Sequence, residues 1–434
     1  MHKLYGILCL IASGSLLAQQ PLDKQFYSDQ GIEIKDDGYW QWIATLNNHA
    51  SSTKPPKEHA STSDLPLFNA YPALRSVAHI SLCKLPTPVS KLHACKEYKN
   101  KNIYIKRDDL SGCTDDNGTN AYGGNKPRKL EFELANALNH GADTVITFGA
   151  DGSNHAVATG EYARMLGLKC ICMLNPEPNS RVLQQNLLLH ATNNVDLHSY
   201  PDDESRKLQT VALWADLKSR TGKYPYLIFP GASTPLGSVG FVNAGFELAK
   251  QVMEQKLPEP DYIYVACGSF GTTIGLALGC KAAQLKSKIV GVSVIPEKQP
   301  GMYTYYSKLF FNQLNDYLHH HDASFPVYDF DDINLTIYTD HAGTEYGLFT
   351  QEGQDALHMI EDQDGIKLDG CYTAKAFAAM INHIKNNNIN GDNILFWNTY
   401  CGLDESDRIK GVDYQQLPTC FHHYFEEPVQ QLDK

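Results

Sequence analysis

The chain has 434 residues, 42% hydrophobic and 20% charged, the balance of an ordinary globular protein of one large or two medium domains. Its net charge of −12 argues against nucleic acid or an anionic membrane as the main partner. No apolar run reaches the length of a spanning helix, so no membrane partner is expected for the mature chain.

In chain order, the weakly basic Met1-His2-Lys3 precedes a mostly apolar run to Leu17 and then Ala18, before Gln19-Gln20-Pro21. This layout matches a secretory signal peptide over 1–18, although Leu16 fits the cleavage pattern poorly; the alternative is an apolar N-terminal helix in a cytoplasmic protein. Residues 19–66 read as a polar extension without chemistry, with 51–57 as linker and Trp40 and Trp42 expected to pack on the main body. The 11 cysteines show no disulfide spacing, and Cys170, Cys172 and Cys267 sit in apolar, strand-like runs that suit buried free thiols. Asn117-Gly118-Thr119 fits a glycosylation sequon.

From Leu67 the pattern becomes dense. A short strand over 103–105 runs into Lys106-Arg107-Asp108-Asp109-Leu110, and the polar stretch 111–120 is a loop. Next comes Gly123-Gly124-Asn125-Lys126-Pro127-Arg128-Lys129-Leu130-Glu131-Phe132, opening a helix that ends at His140-Gly141. Glycines without a Cβ let the backbone turn close to a ligand, and a first-turn proline loses no hydrogen bond. Lys126 therefore occupies a strand-to-helix corner with its amine toward a crevice, where it can attack an aldehyde such as pyridoxal phosphate. Alone, the same stretch also fits a solvated lysine beside a tight turn.

Strands over 145–148, 169–174, 195–197, 226–229, 262–266 and 289–294 then alternate with helical patterns. This predicts an α/β fold with parallel sheets. Residues 296–332 look like a polar, aromatic-rich insertion, and His319-His320-His321 within it reads as a polar loop rather than a metal site. Sites in such folds form at the carboxyl ends of strands. Besides the lysine corner, two strand-to-helix turns stand out. In Gly268-Ser269-Phe270-Gly271-Thr272-Thr273, successive N–H groups and a helix N-terminus can wrap a phosphate. In Ser153-Asn154-His155, first-turn N–H groups can take a carboxylate and Asn154 a phenolic oxygen, although capping by Ser153 is the plainer account. An amine, a phosphate cradle and a carboxylate cradle together suit an amino acid bound to pyridoxal phosphate.

The chain resembles pyridoxal-phosphate enzymes of the tryptophan-synthase-β-like fold, most closely the D-cysteine desulfhydrase and 1-aminocyclopropane-1-carboxylate deaminase family. The resemblance rests on 85–89, 105–110, the lysine stretch, 148–155, 230–240, 268–275, 345–347, 372–375 and 395–402. It implies two three-layer α/β/α domains with mostly parallel sheets and the active site between them. Residues 67–128 with 239–425 would form the larger, cofactor-binding domain, carrying the insertion, and 129–238 the smaller, substrate-gating one. A homodimer is expected. By the same resemblance Lys126 forms the Schiff base and shuttles protons, Lys129 contacts the phosphate, and Asn154 bonds the phenolic oxygen. Ser153 and His155 line the substrate carboxylate site. Gly268, Ser269, Gly271 and Thr272 form the phosphate loop, and Tyr346 and Tyr372 contact substrate. Thr373 and Thr399 stand where the desulfhydrases carry threonine and the deaminases glutamate and leucine.

A carboxylate at the pyridine nitrogen strengthens the electron sink that opening a cyclopropane ring calls for, whereas sulfide leaves without it. The expected reaction is therefore β-elimination from a small amino acid, D-cysteine first, with deamination as the alternative. Two departures bear on this: Phe270 replaces a glycine of the phosphate loop, and Asn398-Thr399-Tyr400-Cys401-Gly402 replaces His-Thr-Gly-Gly. The second departure leaves open a protein that binds cofactor or amino acid without turnover. A nicotinamide oxidoreductase is disfavoured, because no GxGxxG follows the first strand.

Overall fold

The computed structural model describes residues 41–53, 63–114, 118–297 and 301–433. The signal-peptide segment, Trp40 with the rest of 19–40, and Asn117 of the sequon lie outside the described residues. The strands are β1 (Val89–Lys91), β2 (Asn102–Arg107), β3 (Thr144–Ala150), β4 (Lys169–Asn175), β5 (Asp196–Ser199), β6 (Tyr226–Ile228), β7 (Tyr262–Cys267), β8 (Lys288–Ser293), β9 (Leu335–Tyr338) and β10 (Asn393–Asn398). They form two sheets, ordered β1-β2-β10-β7-β8-β9 and β5-β4-β3-β6. Every pairing is parallel except β1 with β2. Strands such as β3 and β7 are apolar runs buried on both faces, as parallel sheets covered by helices require.

The helices that build the site are α1 (Gln41–Thr53), α2 (Lys126–Asn139), α3 (Asn154–Met165), α4 (Arg181–Thr192), α5 (Asp203–Thr221), α6 (Pro235–Met253), α7 (Gly271–Ala282), α8 (Met302–His321) and α9 (Thr373–Lys385). Helix α2 carries buried residues from Pro127 to Ala137. It is buried on most sides, polar residues included, because it lies between the two sheet systems. Leu130, Leu134 and Ala137 join the core around the four-stranded sheet, and Phe132 joins that around the six-stranded one. Helices α6 and α7 approach closely over glycine, since a Cβ on Gly275 would meet Phe241 Cβ at 2.8 Å.

Three regions differ from the sequence reading. Ser51, Ser52 and Thr53 are the last turn of α1 rather than linker. As expected, Trp42 packs on the main body; with Ile43 and Leu46 it meets Ile146, Phe148, Val211, Trp214 and Leu227. The supposed insertion contains a 20-residue helix, α8, whose Phe311, Leu314 and Leu318 repeat at helical spacing and join the large core. His319, His320 and His321 are its last turn, not a loop. Leu417, Phe421 and Tyr424, assigned with the larger unit, pack instead in the core around the four-stranded sheet. Cys170, Cys172 and Cys267 are buried free thiols, as expected.

Trp42 is 2% exposed and meets the Phe148 ring edge-on at 5.7 Å. Trp42→Ala should cost about 3–5 kcal/mol, the range for large aromatic truncations in a core. A denaturant titration monitoring the four-stranded-sheet region reads this; an unchanged midpoint would mean that α1 is not part of the folded body.

Candidate active site

The loops after β3, β7 and β10 converge with the start of α2 on a cavity of roughly 1120 Å³. Lys126, Lys129, Ser153, Asn154, His155, Gly268, Ser269, Thr272, Tyr346, Tyr372 and Thr399 all line it. Two expected residues do not, namely Gly271 and Thr373. Gly271 turns its N–H to the Ser269 carbonyl at 2.8 Å, and a Cβ there would meet Ser233 Oγ at 2.6 Å, so it packs behind the loop. Thr373 is fully buried at the start of α9, its hydroxyl bonded to Asp369 Oδ2 at 2.8 Å.

Chain geometry fixes the lysine corner. Gly124 has φ +85°, and a Cβ on it would lie 2.7 Å from the Thr399 carbonyl oxygen, so only glycine fits. The corner is tied down by Gly124 N–H to the Asp108 carbonyl at 2.8 Å, Asn125 N–H to the Thr399 carbonyl at 3.1 Å, and Gly123 N–H to Cys401 Sγ at 3.1 Å. One turn on, Arg128 is fully buried, donating to Asp108 Oδ1 at 2.7 Å and to Glu247 Oε2 at 3.0 Å. Lys106 also reaches Glu247, and the Trp397 indole N–H reaches Asp108 Oδ2 at 2.7 Å. Burial alone would raise the Glu247 carboxyl, but Arg128 and Lys106 bring it down to about 2.

Lys126 Nζ stands 5.9 Å from the centroid of the Tyr372 ring. Burial lowers its amine to about 8, opposed by the Asp369 carboxylate. Lys129, deeper in, is held well below the usual lysine range by burial and then by Lys126. Its Nζ is 3.3 Å from Ser233 Oγ, which is 2.8 Å from Ser269 Oγ. This amine and these two hydroxyls face the N-terminus of α7, whose first-turn N–H groups have no partner within the helix. The set is an anion cradle of the size and sign of a phosphate group. Asn125 Nδ2 donates to Thr272 Oγ1 at 2.8 Å, joining cradle and lysine corner. Phe270 caps α7 at φ +64°, a conformation costing about 1–3 kcal/mol for a non-glycine residue. Its ring rests on Tyr303 of α8 at 5.6 Å.

Across the cavity, Ser153 caps α3, its hydroxyl accepting from Ala156 N–H at 3.3 Å, and it also lines the cavity. Asn154 Oδ1 accepts from Tyr122 and Asn186 at 2.8 and 2.9 Å, which turns its amide N–H₂ to the cavity as a donor for a phenolate oxygen. His155 is held neutral, by burial first and then by Lys126 and Lys129, and its Nε2 lies 2.8 Å from the Thr147 hydroxyl. Tyr346 and Tyr372 share a 2.7 Å hydrogen bond, and burial holds both phenols well above their ordinary range.

Among the cavity residues that sequence reasoning did not single out are Asp369, Glu177 and Ser233. Asp369 had a local signal, an acid just before a helix start. Its four acceptor positions are filled by the N–H groups of Cys371, Tyr372 and Thr373 and by the Thr373 hydroxyl. Glu177 had none, being brought in by the loop after β4; burial raises it to about 7. Of the run 398–402, Thr399 lines the cavity while Asn398, Tyr400 and Cys401 lie behind it. The Asn398 and Cys401 side chains serve the backbone, accepting from Tyr400 N–H and Gly123 N–H.

The amine, the anion cradle and the amide donor fit pyridoxal phosphate, and comparison with known proteins agrees. Residues 80–399 match the family described as pyridoxal-phosphate dependent enzyme, and the chain belongs to it. It is 33% identical over 343 residues to a D-cysteine desulfhydrase of Serratia proteamaculans, covering 76% of this chain and 96% of that one. The D-cysteine desulfhydrase of Salmonella choleraesuis is also 33% identical, over 330 residues, covering 74% and 93%. A crystal structure of a homologue of 1-aminocyclopropane-1-carboxylate deaminase superposes with TM-score 0.64 at 30% identity, covering 80% of this chain and 99% of that one. The fold is thus tryptophan-synthase-β-like, the cofactor pyridoxal phosphate, and the protein a member of the desulfhydrase and deaminase group.

A lysine amine attacks an aldehyde only when neutral. Lowering its value from 10.5 to about 8 brings the neutral form to lower pH. Uptake of pyridoxal phosphate by cofactor-free protein should therefore speed up with rising pH and level off just above 8, read by stopped-flow absorbance. A rate still climbing toward the ordinary lysine range would show that Lys126 is solvated.

Proposed function

We propose that the protein is a D-cysteine desulfhydrase, converting D-cysteine and water to pyruvate, hydrogen sulfide and ammonia. The observation that carries this is the pairing of Thr399, whose hydroxyl faces the cavity, with an Asp369 carboxylate already saturated by four donors. A hydroxyl is then the available partner for a pyridine nitrogen, and the ring is a weaker electron sink than one paired with a carboxylate. The identity to D-cysteine desulfhydrases over nearly their whole length supports the same substrate. Thr373, behind Asp369, contributes by fixing that carboxylate rather than by touching the cofactor.

When bound, pyridoxal phosphate supplies the electron sink for loss of the α-proton. Lys126 Nζ would hold the cofactor aldehyde, and its neutral amine would be the base that takes that proton and can return it. Lys129, Ser269, Thr272 and the turn at Gly268 hold the phosphate, and Asn154 donates to the phenolic oxygen. Ser153 and the first-turn N–H groups at Asn154 and His155 hold the substrate carboxylate. Because burial keeps Tyr346 and Tyr372 protonated at neutral pH, they serve as donors, and Tyr372, over the lysine, is placed to protonate departing sulfide.

Deamination of 1-aminocyclopropane-1-carboxylate is the second reading, favoured by the 30% identical structural neighbour. Sulfide release from D-cysteine should exceed ammonia release from the cyclopropane acid, and Lys126→Ala should abolish turnover and the yellow colour of the loaded protein. Robust deamination without sulfide would overturn the proposal. Export through residues 1–18 and a homodimeric assembly belong to the same proposal; N-terminal sequencing of secreted protein and light scattering test them.

A further inference from the structure

The substrate side of the cavity is closed by two loops from opposite halves of the molecule. One carries Tyr346, Gly347 and Phe349; the other, after β4, carries Glu177 and Pro178. They touch so closely that a Cβ on Gly347 would lie 2.9 Å from Pro178 Cδ. Neither β-sheet registers these loops against one another. A third segment, which lines no part of the cavity, does so.

Gln430 binds both loops at once. Its Oε1 accepts from Phe349 N–H at 2.7 Å and its Nε2 donates to the Gly347 carbonyl at 3.1 Å, matching the backbone on either side of the Tyr346 loop. Its own N–H donates to the Asn179 carbonyl at 3.0 Å on the other loop. Asn179 Nδ2 returns to the carbonyls of Tyr424 and Glu427 at 2.9 and 3.0 Å. Tyr424 is buried, its hydroxyl donating to Asp151 Oδ2 at 2.9 Å and accepting from Glu177 N–H at 3.2 Å. Asp151 lies two residues before Ser153, and Glu177 Oε1 accepts from Gly152 N–H at 2.6 Å. The segment thus reaches Tyr346 through Gln430 and the Ser153-Asn154 turn through Tyr424.

We propose that residues 423–433 form a strap that sets the spacing between Tyr346 and the N-terminus of α3, with Gln430 and Tyr424 as positioning residues for substrate. The strap leaves Lys126, Lys129 and the phosphate cradle untouched, since these are fixed by α2, α7 and the 398–402 run. Its loss therefore weakens substrate binding while the cofactor stays in place. The inference rests on the reading that Tyr346 faces substrate.

The test compares wild type with Gln430→Ala, Gln430→Glu and Tyr424→Phe as holoenzymes. Amide exchange without substrate should quicken at Phe349 in Gln430→Ala and be largely restored in Gln430→Glu, which keeps the acceptor for that N–H. KM, read with D-cysteine or with whichever amino acid the wild type turns over, should rise about tenfold in Gln430→Ala and Tyr424→Phe with a smaller change in kcat, as expected for losing one or two net hydrogen bonds. Cofactor absorbance should stay at the wild-type value, and the melting temperature should fall by no more than about a few degrees, the cost of one or two hydrogen bonds. Unchanged KM with unchanged exchange, or a joint fall in cofactor absorbance, melting temperature and kcat, would overturn the strap. Failure of wild type to release sulfide would count against the D-cysteine reading alone, because exchange at Phe349 is measured without substrate.

Discussion

The Arg128 guanidinium, fully buried between Asp108 and Glu247, is the constraint on which the rest of the site depends. It joins the end of β2, the first turn of α2, the middle of α6 and, through Trp397, β10. Buried ions are stable only as a complete set, because removing one partner strands a charge away from water at about 3–5 kcal/mol. The cluster therefore tolerates one arrangement of these four elements. Lys126 precedes Arg128 by two residues and has no other place to go.

From that anchor the remaining parts follow by short range. The glycine corner clears the Thr399 carbonyl, and Thr399 is thereby presented to the cavity from the end of β10. Two of the altered residues around it hold the backbone with their side chains. Cys401 sulfur takes the Gly123 N–H, and Asn398 takes the N–H of Tyr400. Two residues of that departure thus spend their side chains on nearby backbone groups. Phe270 is similar: a positive φ that suits glycine is occupied by a side chain whose ring rests on Tyr303 of α8.

Three segments outside the two sheets gather around the cavity. Ile43 and Asn47 of α1 and Tyr306 and Phe310 of α8 border it, and residues 423–433 tie its outer loops. Each is anchored by apolar burial, Trp42 against Phe148, Phe311 in the large core and Tyr424 under the four-stranded sheet. Since burial scales with apolar area removed from water, these segments belong to the folded body.

The sequence by itself determined the α/β alternation, the lysine corner and the cofactor. Those signals are local: apolar runs of strand length, glycines before a helix, a proline in its first turn, and an amine between them. It also placed Asn154, Lys129 and Thr399 on the turns that line the cavity. It misjudged Thr373 and Gly271, because adjacency along a helix start does not say which side faces the ligand; the bonds to Asp369 and Ser269 decide that. It expected Trp42 to pack on the main body, but read Ser51 to Thr53 as linker and His319 to His321 as loop, because polar composition masks a helix end. Glu177 and Gln430 had no pattern to betray them. Their roles come from contacts between segments far apart in the chain, such as Gln430 with Gly347 and Phe349, and only tertiary packing makes those contacts.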